Sequence, residues 1–314
     1  MSDLSPNIPE GGRRLEFDFP GIEIGVAEYE EGPTGCTVFH FPRGAAFAAD
    51  VRCGSPGTIG TDYGFARAIC FAGGSLMGLE AAAGVAAELF ERRGHEHVDW
   101  ADVPTVAGAI IFDFARRNGV YPDKELGAAA LRAARPGVFP LGRRGAGRMA
   151  SVGKAIALDR SEPGGQGAAF RQVGEAKIAV FTVVNALGAI VDRNGNVVRG
   201  HLDRTTGEHG HLTDDVERQL RGSGNVAAPQ PGNTTLTLAA TNLKLPGRSL
   251  NQLARQVHVS MARAIQPFHT DADGDTLFMV TTNDVDTPMA AMTGALGALM
   301  SEVAWDAVLS CWDE

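Results

Sequence analysis

The order of its apolar segments constrains the fold of this chain more than any other feature of the sequence. Alternating apolar residues at 22–29 and 36–42 flank a Gly-rich turn, a pattern that predicts a β-hairpin. Further strands are predicted at 46–53, 106–114, 177–192, 197–200, 234–245 and 276–282. Helices are predicted at 75–93, 122–134, 250–265 and 289–312. Hairpins mixed with helices favour a layered α/β fold over a strict βαβ winding.

One polar stretch interrupts this order of segments. Residues 203–233 are charged and poor in large apolar side chains, and a new strand then begins abruptly at Thr234. At 314 residues the chain could hold two domains of about 150 residues, although single α/β domains are often longer. The polar stretch is therefore the best candidate for a linker.

The charge balance excludes several classes of partner. The chain has 28 basic and 37 acidic residues, whereas binding to nucleic acid or to an anionic membrane surface needs a basic patch. No run of about 18 apolar residues could span a membrane, and the first residues lack the apolar region of a secretion signal. The cysteines have no CxxC spacing and are predicted to be reduced, mostly buried thiols, namely Cys36, Cys53, Cys70 and Cys311. We therefore expect a cytoplasmic protein.

Two loop motifs resemble ligand-binding sequences but fail on spacing. Segment 147–155 has five residues between its glycines instead of the four of a phosphate loop, and Ala155 stands where Ser or Thr binds Mg²⁺. Segment 271–275 begins like a calcium loop, but its Gly comes too early and Thr282 stands where a bidentate Glu is needed. Two interpretations of these clustered carboxylates stay open, a solvated turn or an acidic pair for proton transfer and for orienting an amine.

Histidine and serine motifs identify no catalytic site on their own. The pairs His95/His97 and His209/His211 have HxH spacing, which can bind Zn²⁺ on a strand, but no third ligand is near either pair in the sequence. No GxSxG motif is present, so the nucleophile turn of an α/β-hydrolase is excluded.

One junction has the sequence of an N-terminal nucleophile. Thr234 stands at the start of the strand that follows the polar stretch, directly after Asn233. If the bond between the two residues is cut, the new α-amine lies beside its own Thr hydroxyl and can act as its base. Such an amine titrates at about pH 8, so a neutral fraction exists at pH 7. On these residues alone, an ordinary strand start is the other interpretation.

Five sequence runs, taken in order, resemble one known family. They are FDFPGIEIGVAEYEEGPTGCTVFHFPRG, GGSLMGLEAAAGV, SVGK, GNTT and LNQLARQVHVSMARAIQPFHTDADGDTLFMVTT. In order and spacing they are similar to the aminopeptidase/D-esterase superfamily of autoprocessing hydrolases (DmpA-like, peptidase family S58). Within it the runs are most similar to the nylon-oligomer hydrolases, which cleave 6-aminohexanoate oligomers. The resemblance covers residues 17–312 and implies an α/β fold, a four-layer αββα sandwich of the N-terminal-nucleophile type, as a single domain over residues 1–314.

The resemblance also implies that the chain cuts itself. Thr234 matches the nucleophile of the family, which is exposed when the precursor cleaves itself after Asn233. The products would be residues 1–233 and 234–314, with 203–233 as a flexible segment before the cut.

Further roles follow from the same resemblance. Lys154, one of only four lysines, matches a lysine that holds the new amine neutral by like-charge repulsion. Asn185 matches an asparagine whose amide stabilises the oxyanion, and Asp273 and Asp275 match two acidic residues that orient the amine and the nucleophile. One position departs, because Phe112 stands where these relatives carry a Tyr, and a lost hydrogen-bond donor can cost roughly 10²–10³ in rate.

The activity implied by the resemblance is endo-type hydrolysis of linear 6-aminohexanoate oligomers through a Thr acyl-enzyme. It needs no metal and no organic cofactor, and the implied assembly is a homo-oligomer, a tetramer of cleaved protomers. Two alternatives stay open: a β-aminopeptidase or L-aminopeptidase/D-esterase on the same scaffold, and a binding protein with impaired catalysis. Neither nucleic acid nor a membrane is an expected partner.

Overall fold

The computed structural model of the protein describes residues 4–94, 99, 102–114, 117–155, 157–222, 232–286 and 293–313. Its α-helices are α1 Leu79–Glu91, α2 Lys124–Arg132, α3 Leu212–Leu220, α4 Gly247–Ser260 and α5 Thr293–Leu309. Its strands are β1 Arg14–Glu16, β2 Glu23–Tyr29, β3 Thr34–Val51, β4 Thr58–Ile59, β5 Phe65–Ala72, β6 Val106–Ile110, β7 Arg135–Pro136, β8 Val138–Pro140, β9 Ser151–Val152, β10 Glu162–Pro163, β11 Gly165–Val173, β12 Ala176–Asn185, β13 Ala189–Val191, β14 Val197–Arg199, β15 Thr234–Leu243, β16 Ile265–Gln266 and β17 Thr276–Val285. Over these residues, no helix is both long and apolar enough to cross a membrane.

Three apolar clusters divide the molecule into four layers. The first lies between helices α1 and α2 and a half-sheet that contains β2, β5 and β6. The second, rich in phenylalanine, lies between that half-sheet and another that contains β12, β15 and β17. The third lies between the second half-sheet and helices α4 and α5. The layers are therefore helices, sheet, sheet and helices, which confirms the predicted αββα sandwich.

The alternation of side chains along single strands produces this layering. In β12, Val180 and Val184 pack on helices α4 and α5, whereas Phe181 and Val183 enter the core between the two half-sheets. Successive side chains of a strand point to opposite faces, so both faces of β12 are covered by apolar layers. This coverage explains why the strand is a nearly continuous apolar run in the sequence.

One long strand joins the two half-sheets. β3 pairs through residues 34–40 with β2 and β5 in the first half-sheet, and through residues 46–51 with β17 in the second. Its pairing with β5 shifts register between His40 and Ala45. Two separate strands were predicted here, and that prediction was wrong because a bulge bends the backbone without ending the strand.

Four strand ends meet at one edge of the second half-sheet. β15 lies between β12, where Asn185 pairs with Thr234, and β17, which runs parallel to it with Leu236 opposite Thr276. β17 in turn pairs with β3, where Thr276 lies opposite Val51. The starts of β15 and β17 and the ends of β12 and β3 are therefore neighbours, and residues distant in sequence meet there.

Glycines in the outer helices allow close packing. A Cβ on Gly84 of α1 would lie 2.0 Å from the carbonyl oxygen of Lys124, and a Cβ on Gly127 of α2 would lie 2.0 Å from that of Ala81. The two backbones can touch only because neither glycine has a side chain.

The polar stretch before β15 is partly helical. Helix α3 lies within residues 203–233, with acidic residues in its first turn and Arg218 in its last, an arrangement that complements the helix dipole. Asp215 anchors the helix to the rest of the domain through a guanidinium hydrogen bond of 3.2 Å from Arg160. Residues 223–231 lie outside the described part of the chain.

Candidate active site

The hydroxyl of Thr234 lies against the peptide bond that precedes it. This hydroxyl donates a hydrogen bond to the carbonyl oxygen of Asn233, and the amide of Gly274 donates a second one of 2.8 Å to the same oxygen. Thr234 is 3% exposed and Asn233 is 2% exposed. A hydroxyl oxygen and a backbone donor thus meet at one buried carbonyl group. That arrangement suits nucleophilic attack on the carbonyl carbon and stabilisation of the resulting oxyanion.

Gly274 reaches this carbonyl because it has no side chain. A Cβ at this position would lie 2.3 Å from the carbonyl oxygen of Ser55 and 3.0 Å from the hydroxyl oxygen of Thr234. In the sequence, Gly274 is visible only as the early glycine of the failed calcium-loop motif, with no catalytic role predicted for it. The available signal was a glycine enclosed by two acidic residues, since such a glycine often marks a close backbone approach.

The backbone before the candidate cut is held on both sides. Gly232 has a φ of 95°, and a Cβ there would lie 2.7 Å from the ring of Phe112. Asn233 forms a parallel bridge with Asp273, and its amide donates a hydrogen bond of 3.2 Å to the carbonyl oxygen of Ala272. The Asn233 carbonyl is therefore fixed in front of the Thr234 hydroxyl.

Lys154 and Asn185 lie together beside Thr234. The Lys154 ammonium donates hydrogen bonds of 3.0 Å to the carbonyl oxygen and to the side-chain oxygen of Asn185, which pairs with Thr234 across the sheet. Lys154 is 8% exposed. Its loop is held by the left-handed Gly153, with a φ of 73°, and by a hydrogen bond of 2.8 Å from the Lys154 amide to the carbonyl oxygen of Leu187. A buried ammonium group is thus positioned at the candidate cut.

The side-chain amide of Asn185 does not donate to the Asn233 carbonyl. It donates instead to the carbonyl oxygens of Phe112, at 3.1 Å, and Gly232, at 3.4 Å. In the uncleaved chain, Asn185 therefore positions the backbone that leads to the cut, and Gly274 is the backbone donor on the Asn233 carbonyl.

Asp273 and Asp275 are both buried and fully engaged. Asp273 accepts hydrogen bonds from the amides of Leu187 and Thr270, both at 3.2 Å, and from the Thr270 hydroxyl. Asp275 accepts one of 2.7 Å from the amide of Thr235, the residue after the candidate nucleophile. Burial, together with the nearby charge of Asp275, raises the pKa of Asp273. The interpretation as a solvated turn is therefore wrong for these two carboxylates, which are buried beside Asn233 and Thr235.

Behind Asp275 lies a group of side chains that the sequence analysis did not join. The Nδ1 atom of His269 lies 2.9 Å from the Oδ2 atom of Asp275, and the His269 ring contacts that of His258 with centroids 4.4 Å apart. His258 Nδ1 lies 2.9 Å from Asp50. Cys53 also reaches Asp275, and its pKa is raised to about 12 by burial and by the charge of that carboxylate. Cys53 meets Asp275 because β3 and β17 are neighbours, and α4 adds His258.

A cavity of about 410 Å³ opens beside Thr234. Its described lining carries no charged side chain and combines apolar groups with two serines; the residues are Ser55, Pro56, Gly57, Ser75, Leu76, Ile110, Phe112, Gly232 and Thr234. Such a lining suits a neutral, largely apolar chain with a few polar groups to orient it.

Among the described residues, potential metal ligands do not converge at the pair His209/His211. His209 lies 2.7 Å from a carboxylate oxygen of Glu162, and His95 and His97 lie outside the described residues. Over the part of the chain that the structure describes, three such side chains come together at Cys53, His269 and Asp275.

Comparison with known sequences points to one family over nearly the whole chain. The sequence profile of peptidase family S58 matches residues 17–311. The 6-aminohexanoate-oligomer endohydrolase of Paenarthrobacter ureafaciens is 50% identical over 98% of this chain and 88% of its own length.

Solved structures share the fold at low sequence identity. A β-aminopeptidase from a Burkholderia species superposes with a TM-score of 0.67 at 17% identity, covering 98% of this chain and 89% of that one. The L-aminopeptidase D-Ala-esterase/amidase from Ochrobactrum anthropi, described as a variant of the Ntn hydrolase fold, gives 0.66 at 14% identity over 97% and 88%. The chain therefore shares its overall fold with these two aminopeptidases.

Proposed function

The chain belongs to peptidase family S58, and from this membership we propose that it is an autoprocessing amide hydrolase that cleaves linear 6-aminohexanoate oligomers at internal amide bonds. One observation carries the proposal, the contact of the Thr234 hydroxyl with the Asn233 carbonyl oxygen beside the Gly274 amide. A relative with half of its residues identical is named for endohydrolysis of these oligomers, which supports the substrate.

Self-cleavage begins with attack of the Thr234 hydroxyl oxygen on the carbonyl carbon of Asn233. The Gly274 amide donates to the oxyanion, the C–N bond breaks, and the hydroxyl proton passes to the leaving nitrogen. An ester then links Asn233 to Thr234. Water hydrolyses this ester and releases residues 1–233 and 234–314 as two chains within one folded protomer.

In turnover the freed α-amine of Thr234 is the base for its own hydroxyl. The hydroxyl attacks a substrate amide, the amine transfers the proton to the leaving nitrogen, and water hydrolyses the acyl-enzyme. The ammonium of Lys154, held beside Thr234 by Asn185, favours the neutral form of the amine by like-charge repulsion. Asp275 fixes the backbone of the next residue, Thr235. These steps draw on the side chains and backbone of the protein itself.

The cavity favours an oligomer of 6-aminohexanoate over a peptide with a free amino terminus. Its described lining has no carboxylate to pair with a substrate ammonium group, whereas Leu76, Ile110 and Phe112 offer apolar contact to methylene chains. The rival activity, a β-aminopeptidase or L-aminopeptidase/D-esterase, needs recognition of that ammonium group. We further propose that the cleaved protomers form a cytoplasmic homo-oligomer, a tetramer.

The test begins with a denaturing gel of purified protein. We expect two bands, corresponding to residues 1–233 and 234–314, and a single full-length band for Thr234→Ala, which should also lack hydrolysis. Thr235→Val is the matched control, because the Thr235 hydroxyl has no partner among the described residues and should not be needed. An intact wild-type band would contradict self-cleavage, and hydrolysis by Thr234→Ala would place the chemistry elsewhere.

A second assay separates the candidate activities. Linear 6-aminohexanoate oligomers with a blocked amino group should still be cleaved internally. Release of amino-terminal residues only, with blocked oligomers inert, would support the aminopeptidase alternative. Self-cleavage without hydrolysis of either substrate would support a binding protein with impaired catalysis.

A further inference from the structure

Three side chains with different donor atoms face one another behind the candidate nucleophile. Cys53 Sγ lies 3.5 Å from His269 Nδ1 and 3.7 Å from Asp275 Oδ2, and the latter two atoms are 2.9 Å apart. We propose that Cys53, His269 and Asp275 form a zinc site at which Zn²⁺ inhibits the enzyme.

The separations agree with tetrahedral zinc geometry. Zn–S bonds of about 2.3 Å and Zn–N or Zn–O bonds of about 2.0 Å place ligand atoms about 3.3–3.6 Å apart. The two sulfur distances, 3.5 and 3.7 Å, differ little from this range. The remaining pair, at 2.9 Å, needs to open by a few tenths of an ångström when the metal replaces the contact between His269 and Asp275.

The backbone holds the three ligands together before any metal arrives. Cys53 follows β3 and Asp275 precedes β17, and the amide of Arg52 donates a hydrogen bond of 2.9 Å to the Asp275 carbonyl oxygen. Three residues further along, the amide of Ser55 donates one of 3.0 Å to the carbonyl oxygen of Asp273. The fold therefore holds the ligands close to their binding positions before the metal binds.

The donor set selects the ion. One thiolate, one imidazole and one carboxylate suit a borderline-soft ion such as Zn²⁺, whereas Mg²⁺ and Ca²⁺ prefer shells of oxygen. On binding, the Cys53 thiol loses its proton to solvent, and the imidazole proton of His269 moves from Nδ1 to Nε2. No electron is transferred. The side chain of His269 remains 18% exposed, so the site is reachable and solvent can supply the fourth ligand.

Zinc at this site would affect Thr234 and Thr235, at the start of β15, through Asp275. The Oδ1 atom of this carboxylate accepts the Thr235 amide at 2.7 Å, while the Oδ2 atom would bind the metal. Zinc binding would therefore neutralise and shift the Asp275 carboxylate, which fixes the backbone of Thr235 next to Thr234. The inhibition, unlike the binding, rests on the proposed hydrolase activity.

Metal binding is tested with Co²⁺ on untagged protein. We expect one Co²⁺ per chain with an intense thiolate-to-cobalt absorption in the near ultraviolet, displaced by Zn²⁺. Cys53→Ser and His269→Asn should each lose this absorption; Asn tolerates the left-handed backbone of His269, whose φ is 60°. His211→Ala, which breaks an HxH pair, is the matched control and should bind as the wild type does. Wild-type absorption retained in Cys53→Ser, or none in the wild type, would overturn the site.

Inhibition is tested on the same proteins. Zn²⁺ should lower wild-type hydrolysis at least tenfold, and a chelator should restore it. The hydrolysis rate of Cys53→Ser, compared with and without Zn²⁺, should be insensitive to the metal. Cobalt binding without inhibition by Zn²⁺ would overturn the inhibitory role. Loss of every hydrolytic activity in metal-free protein would contradict the proposed function instead, and the cobalt spectrum would still decide the site.

Discussion

The amide of Gly274 donates a hydrogen bond of 2.8 Å to the carbonyl oxygen of Asn233, the oxygen that the Thr234 hydroxyl also contacts. The donor lies in the turn before β17 and the acceptor directly before β15. Because these strands are parallel neighbours, the interaction forms when the sheet forms. The oxyanion donor for the proposed cut is therefore assembled by folding alone.

Replacing Gly274 by Ala should block processing. A Cβ would lie 2.3 Å from the Ser55 carbonyl oxygen and 3.0 Å from the Thr234 hydroxyl oxygen, so the turn must move away from the Asn233 carbonyl. Loss of one oxyanion donor predicts cleavage slower by roughly 10²–10³-fold. The measurement is the time course of the two bands on a denaturing gel after synthesis.

The control for this substitution is Gly247→Ala. A Cβ on Gly247, at the start of α4, would meet no atom within 4 Å, and processing should be unchanged. Complete and rapid processing of Gly274→Ala would show that another donor stabilises the oxyanion.

Lys154→Met should lower turnover by roughly 10²–10³-fold, because the buried ammonium group beside Asn185 and Thr234 is lost while much of its apolar stem is kept. Steady-state hydrolysis by processed protein measures the effect. Lys177→Met is the matched control, since the Lys177 ammonium pairs with the exposed Asp18 and has no role in the proposed mechanism. Equal rates for both variants would exclude Lys154 from the mechanism.

Phe112→Tyr should raise turnover by about tenfold or more, because a phenolic hydroxyl in the cavity beside Thr234 adds a donor for substrate or oxyanion. The ratio of kcat/KM for the variant and the wild type on linear oligomers measures the gain. Phe114→Tyr is the control, since Phe114 packs on Phe112 with centroids 5.7 Å apart but is not among the described lining residues. A slower Phe112→Tyr enzyme would mean that the cavity depends on its apolar lining.

His201 should make the protein sensitive to acid. Burial, with a contribution from Arg160, lowers its pKa from 6.5 to about 4. The unfolded chain therefore binds the proton first as the pH falls. The free energy of unfolding is unaffected by His201 above pH 6.5 and decreases between that pH and about 4. A shift of this size corresponds to about 3 kcal/mol of unfolding free energy by pH 4.

Urea unfolding at several pH values tests this prediction. His201→Asn, which suits the left-handed backbone with its φ of 52°, should lose about 3 kcal/mol less than the wild type between pH 7 and pH 4. Parallel stability curves for the two proteins would show that His201 does not control the acid response.

Much of the fold follows from local patterns in the sequence. Helical periodicity located α1, α2, α4 and α5, and alternating or β-branched runs located the long strands β2, β3, β12, β15 and β17. Helix α3 and the strands β5 and β11 were not predicted. The junction at Thr234 was visible as a change from polar to apolar residues. The acidic turn at Asp273 and Asp275 also stood out, because three carboxylates in five residues are unusual.

The remaining features depend on contacts that local patterns do not encode. Cys53 and His269 are brought together by pairing between β3 and β17, which is set by packing of the whole sheet. The importance of Gly274 arises from a close backbone approach, which one sequence shows only as an ordinary glycine. The amide of Asn185 likewise has partners that only the three-dimensional path of residues before the cut reveals.

β15 begins at Thr234 and is hydrogen-bonded on both sides, to β12 and to β17. The proposed cut therefore makes a new chain end inside a sheet whose strands stay interlocked, and neither product can leave without unfolding the other. The intact precursor closes this sheet as a unimolecular reaction. Once cut, two chains would have to find each other, so we expect refolding yield after denaturation to depend on protein concentration. The processed enzyme cannot refold by the route that the uncut precursor used. Its lifetime is therefore governed by its rate of unfolding.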